Sequence, residues 1–158
     1  MRLRASIDKA MQYLVITLMS VLVIDVLWQV ASRYLFKTPS SFTDELAGFL
    51  LIWVGLAGAA YATGTKQHLA IDLLLQKSSG KKKRTLEVII NCCIILFALA
   101  VMVVGGTWLV VSRFILGQVS AALEIPLGYV YLIVPISGAL IIYYCLDDIF
   151  RGKTEISQ

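Results

Sequence analysis

Charge is scarce in this chain, and its distribution is decisive. Charged residues make up 15% of the 158 residues and hydrophobic ones 59%, against about 25% and 45–50% in a soluble domain. No charge occurs from Leu46 to Gly64, from Val88 to Ser112 or from Ile125 to Leu146, and Asp25 stands alone between Ala10 and Ser32. Histidine is nearly absent: His68 is the only one, so this chain cannot supply bis-histidine haem ligation. Cys92, Cys93 and Cys145 lack zinc-type spacing and fall in apolar runs, where thiols act as small packing groups. No nucleophile elbow, phosphate-binding loop or dinucleotide fingerprint occurs, so nothing supports catalysis. No cofactor or metal is expected, and the chain is not read as an enzyme.

What remains is long apolar sequence. Each uncharged run reaches the ~20 residues that cross a bilayer core at 1.5 Å per residue. The reading is an all-α membrane protein with four transmembrane helices, at about 10–36, 43–64, 84–115 and 125–148, in one integral membrane domain over 1–158. The first run is too long for a signal peptide and shows no small-residue cleavage site, so it is read as an uncleaved span. The net charge of +4 and pI near 9.0 do not indicate nucleic acid. The basic residues flank the spans, where phospholipid headgroups receive them.

Of the 14 Lys and Arg residues, only Arg33, Lys37 and Arg113 lie on one side of the four-span arrangement. The basic excess belongs on the cytoplasmic side. Both termini and the middle loop are therefore expected to be cytoplasmic, with loops 37–42 and 113–125 on the opposite face of a bacterial inner membrane.

Local signals fill in this outline. Pro39 ends the first span, and Ser41 or Thr43 is expected to cap the second, with Asp44 and Glu45 in its first turn. Gly48, Gly55, Ala59 and Ala62 form a small-residue stripe on span two, suited to close helix contact either within this chain or with a partner. His68, Asp72 and Gln76 recur every four residues in an otherwise apolar stretch. That pattern predicts a short interfacial amphipathic helix, with His68 hydrogen-bonded to Asp72. Gly105-Gly106 marks a close approach or a bend. Pro126 suits the first turn of span four, and Pro135 is expected to kink that span.

Four charges invite functional readings. Asp25 lies roughly two turns from Arg33 on the same helix face, and is either an ion or proton site or a satisfied polar contact. Arg33 is expected to pair with Glu45 or Asp44 across the first hairpin. Trp28, Trp53 and Trp108 are amphipathic, span-flanking groups.

The run Trp28-Gln29-Val30-x-x-Arg33-Tyr34-x-Phe36, then Pro39 and Phe42-Thr43-x-Glu45-Leu46-Ala47, resembles the small membrane subunit of tripartite ATP-independent periplasmic (TRAP) transporters, the Q-type or DctQ-like permease. Trp53-x-x-x-x-Gly58-Ala59-Ala60-Tyr61, His68-Leu69-x-Ile71-Asp72, Ile125-Pro126, Tyr131 and Pro135-Ile136-Ser137-Gly138 extend the likeness over most of the chain. Two positions depart from the pattern: Phe42, where family members often carry tryptophan, and Asp25. The resemblance implies a scaffold subunit of a sodium-coupled, binding-protein-dependent importer of an organic acid, such as a C4-dicarboxylate, sialic acid or another sugar or keto acid. It implies two partners, a large membrane transport subunit and a periplasmic substrate-binding protein. Arg33, Asp44, Glu45, Trp28, Gly55, Ala59, His68 and Asp72 are the structural or partner-interface candidates. The alternatives are a self-sufficient proton-coupled exporter and the membrane anchor of a respiratory complex.

Overall fold

A computed structural model describes residues 2–35, 40–65 and 81–154. The expected interfacial helix, with His68 and Asp72, lies outside these residues, as does Pro39. Among the described residues the regular structure is helical: α1 (Arg2–Leu35), α2 (Ser41–Gly64), α3 (Lys81–Phe97), a π-helical segment (Ala98–Gly105), α4 (Gly106–Ile115), α5 (Leu127–Tyr131) and α6 (Ile133–Thr154). Four stretches are long and apolar enough to span a membrane: Arg4–Leu35, Ser41–Gly64, Thr85–Ile115 and Leu127–Phe150. They match the four expected spans. The first helix begins earlier than its apolar run, with Arg4 and Asp8 4.0 Å apart as an i,i+4 pair in its opening turns.

Helix boundaries follow from local chemistry. Ser40, not Ser41 or Thr43, caps α2. Its hydroxyl accepts from the Thr43 N–H at 3.5 Å, and its carbonyl accepts from the Thr43 hydroxyl at 3.1 Å. The third span ends in a Schellman turn, in which Gly117 N–H donates to the Phe114 carbonyl and Gln118 N–H to that of Arg113. Gly117 has φ 59°, a conformation glycine adopts without a Cβ penalty.

Span four is interrupted at Leu132, whose N–H reaches back to the Tyr129 carbonyl at 3.4 Å. The expected kink at Pro135 is thus a break one turn earlier. Proline offers no N–H to the carbonyl four residues before it. Restarting the helix at Ile133 places Pro135 in a first turn, where N–H groups have no intrahelical acceptor anyway.

The residues group into two compact units, Met1–Gly58 with Trp108–Ile133, and Ala59–Thr107 with Val134–Gln158. In the first, one face of α1 turns inward: Met11, Leu22, Asp25 and Ser32 are buried. Their spacing keeps them on one side of the helix. Trp53 of α2 donates its indole N–H to the Val130 carbonyl at 2.9 Å, and Phe114 meets Tyr129 edge to face at 5.1 Å.

In the second unit the π segment packs closely on α6. A Cβ added at Gly138 would lie 2.6 Å from the Met102 Cβ, and one added at Gly106 would lie 2.8 Å from a Val134 methyl. This is the close approach expected at Gly105-Gly106. Ser137 is fully buried here and donates to the Val134 carbonyl, so its hydroxyl does not stand unpaired in an apolar contact.

Candidate functional site

The polar chemistry of the first unit gathers where α1 ends, α2 begins and residues 116–126 connect the third and fourth spans. That connection is a small hairpin. Ser120 N–H donates to the Ile125 carbonyl at 2.9 Å and Leu127 N–H to the Gln118 carbonyl at 2.9 Å. Val119 and Pro126 form an isolated antiparallel bridge. Its tip is one helical turn, closed by Glu124 N–H on the Ser120 carbonyl at 3.1 Å, with Glu124 at φ 54°. The Ser120 hydroxyl oxygen accepts from Leu123 N–H at 3.2 Å.

Such a turn presents N–H groups with no partner of their own. Glu45 supplies the acceptor. Its carboxylate takes hydrogen bonds from the N–H groups of Ala121, Ala122 and Leu123 at 3.0, 2.8 and 3.2 Å, and from the Ser120 hydroxyl. Charge-assisted bonds of this kind are about twice as strong as neutral ones. The arrangement is a clamp: a side chain in the first turns of α2 holds a loop 75 residues away in sequence.

This corrects the expected pairing. Glu45 is committed to the 120–123 turn rather than to Arg33. Asp44 accepts from the Gln29 side-chain amide at 2.6 Å. Among the described residues no carboxylate lies within ion-pair distance of Arg33, and the ion pair present is that of Arg4 and Asp8. Arg33, Gln29, Ser40, Ser41 and Asp44 instead line a cleft of about 220 Å³. Below the clamp, Leu18, Leu46, Phe49, Leu50, Trp53, Ile125, Tyr129 and Val130 line an apolar groove of about 200 Å³.

Asp25 does not share a face with Arg33. It is 7% exposed, with Leu22 and Ser32 on the buried side of α1, whereas Arg33 is exposed. Eight residues advance a helix by more than two full turns, which rotates Arg33 off that face. Among the described residues the Oδ2 of Asp25 has no hydrogen-bond partner, so of the contacts weighed for it, one within this chain is not made at that atom by them.

The remaining candidates among the described residues are exposed. Trp28 is 57% exposed. Gly55 and Ala59 are exposed, as is Gly48, and a Cβ added at Gly48, Gly55 or Gly58 would meet nothing within 4 Å. The buried small residues of α2 are Ala57, Ala60, Thr63 and Gly64 instead. Of the two readings of the stripe, contact within this chain is absent at its glycines among the described residues.

Residues 19–154 match the family described as tripartite ATP-independent periplasmic transporters, DctQ component. The chain belongs to this family. It is a TRAP transporter small permease subunit, a multi-pass membrane protein from a transporter family rather than an enzyme family. It is 24% identical over 149 residues to the sialic acid TRAP transporter small permease protein SiaQ of Vibrio cholerae, covering 94% of this chain and 84% of that one. It is 28% identical over 109 residues to the C4-dicarboxylate TRAP transporter small permease protein DctQ of Rhodobacter capsulatus, covering 69% of this chain and 48% of that one. A third relative is the isethionate TRAP transporter permease protein DctMQ of Oleidesulfovibrio alaskensis. There the match is 24% over 119 residues, 73% of this chain but only 18% of the relative. The small subunit's counterpart is thus part of a much longer permease chain in that protein.

The clamp is the feature of this small subunit that sequence reasoning missed. The run Ser120-Ala121-Ala122-Leu123-Glu124 reads as a loop. Its signal is the serine three residues before Leu123, which marks a capped turn whose N–H groups need an outside acceptor.

Proposed function

We propose that this chain is the static scaffold of a sodium-coupled, binding-protein-dependent importer of an organic acid. In this reading the chain supports a separate large transport subunit. The carrying observation is the outward face of α2, where a Cβ at Gly48, Gly55 or Gly58 would meet no neighbour among the described residues. Without a hydrophobic force between helices in lipid, a small-residue face favours close packing against another helix. Burial agrees. Within the four spans only 11%, 17%, 11% and 39% of the core window is buried inside this chain, so the first three spans in particular keep surface for lipid or partner. The DctMQ relative, where the matching segment belongs to a longer permease, supports the same reading.

Sialic acid, C4-dicarboxylates and isethionate, named for the relatives, are all small organic acids. The substrate class proposed here is that broad class, recognised first by a periplasmic binding protein. The Glu45-held loop then lies on the periplasmic side, as the excess of basic residues at the termini and middle loop favours. Trp28, His68 and Asp72 stand as further partner-interface candidates. The family supports a transporter subunit over a self-sufficient exporter or a respiratory anchor.

The test is co-expression with a large TRAP permease subunit. The chain should co-purify with that subunit, and proteoliposomes should take up the acid only when both subunits, the binding protein and a sodium gradient are present. Uptake by this chain alone would refute the scaffold role.

A further inference from the structure

The cleft at the end of α1 and the start of α2 is not used by the clamp, and its lining has an unusual charge pattern. Arg33 brings a guanidinium with five N–H donors and no acceptor of its own, and among the described residues no carboxylate pairs with it. Ser40 and Ser41 add hydroxyls. Asp44 adds a carboxylate held on one side by the Gln29 amide through Oδ1. A cation and an anion therefore line one cleft of about 220 Å³ without neutralising each other.

Depth in the membrane narrows the ligand. Arg33 lies two residues before the end of α1, and Asp44 lies in the first turn of α2. At 1.5 Å per residue both sit within ~5 Å of a span end, the level of lipid headgroups. Trp28, Leu35 and Phe42, on the same two helix ends, are exposed and suited to acyl chains and the interface.

From this juxtaposition of Arg33 and Asp44 in one interfacial cleft, we infer that the chain binds a zwitterionic phospholipid headgroup of the phosphoethanolamine type. The phosphate is held by Arg33 with the Ser41 hydroxyl, and the ammonium by Asp44. Free phosphate would match Arg33 but leave Asp44 opposing it, and an anionic headgroup without an amine would do the same. The site requires only that α1 and α2 span a bilayer. It does not depend on the scaffold role.

The test uses the full-length chain purified in mild detergent, with bound lipid counted by native mass spectrometry and thermal unfolding followed as defined lipids are added back. Phosphatidylethanolamine should be retained and should raise the melting temperature more than phosphatidylglycerol does, and inorganic phosphate should not raise it. Arg33→Ala should weaken phosphatidylethanolamine binding about tenfold or more, the loss of a charge-assisted contact. Asp44→Asn should abolish the preference for the ethanolamine lipid while keeping phosphate-dependent binding. Should Arg33→Ala fail to fold, Ser41→Ala carries the test, since that residue lines the cleft without capping α2. Its phosphatidylethanolamine binding should weaken measurably. Unchanged lipid retention in both the Arg33 and Ser41 variants would overturn the inference. So would equal stabilisation by inorganic phosphate, which would mark a free-anion site. An Arg33→Ala chain that keeps its lipid but loses the large subunit would assign Arg33 to a protein partner and overturn it as well.

Discussion

The Glu45 carboxylate accepts from the Ser120 hydroxyl across 75 residues of sequence, and through the same two oxygens from three consecutive backbone N–H groups. One side chain thereby satisfies the free end of a helical turn and fixes the connection between the third and fourth spans to the start of the second.

Removing that carboxylate should loosen the loop before it unfolds the helices. Glu45→Ala leaves the N–H groups of Ala121 and Ala122 and the Ser120 hydroxyl without their acceptor, while Leu123 N–H keeps the Ser120 oxygen, and should lower the melting temperature. Glu45→Gln keeps one carbonyl oxygen but loses the charge, and should lower it less. Thermal unfolding in detergent, with protease cleavage within 118–126 as the local readout, measures both. Wild-type cleavage in Glu45→Ala would remove the clamp from consideration.

Double-mutant cycles should separate the two candidate partners of Glu45. Glu45→Ala with Ser120→Ala should be non-additive, because the groups are in direct contact. Glu45→Ala with Arg33→Ala should be additive, since no ion pair joins them. Strong coupling in the second cycle would restore the Arg33–Glu45 pairing that sequence spacing favours.

The glycines should divide into two classes. Gly138→Val places a side chain where a Cβ already falls 2.6 Å from that of Met102, and overpacking of this kind typically costs about 1–3 kcal/mol. The isolated chain should melt earlier. Gly55→Leu enters open space and should leave that melting point within about 0.5 kcal/mol, while reducing co-purification with the large subunit. Normal assembly of Gly55→Leu would point the small-residue face toward lipid.

Topology has its own test. Reporter fusions after Gly80 and at the C-terminus should register as cytoplasmic, and fusions near Thr38 and Ser120 as periplasmic, following the distribution of the 14 basic residues. A periplasmic signal after Gly80 would reverse the orientation.

The four spans were legible in the chain itself. Charge-free runs of membrane length can be nothing but buried or lipid-facing helix, and backbone groups without water must bond within their own segment. Turn punctuation was also readable, near Pro135 and in the serines at the start of α2, although Ser40 rather than Ser41 supplies the cap. The residues that carry the family resemblance did the same for identity. What sequence could not decide was partnership. Arg33, Asp44 and Glu45 are close in the chain and opposite in charge, which favours a local pair. Yet the acceptor capacity of Glu45 is taken by N–H groups of residues 121–123, donors that every non-proline residue carries; Ser120 marks the turn but not which distant side chain reaches it. The inward turn of Asp25 and the outward turn of Gly48 and Gly55 were likewise invisible. A helix that is apolar all round gives no periodicity from which to read its faces, so only tertiary packing assigns one to the protein interior and the other to whatever surrounds it.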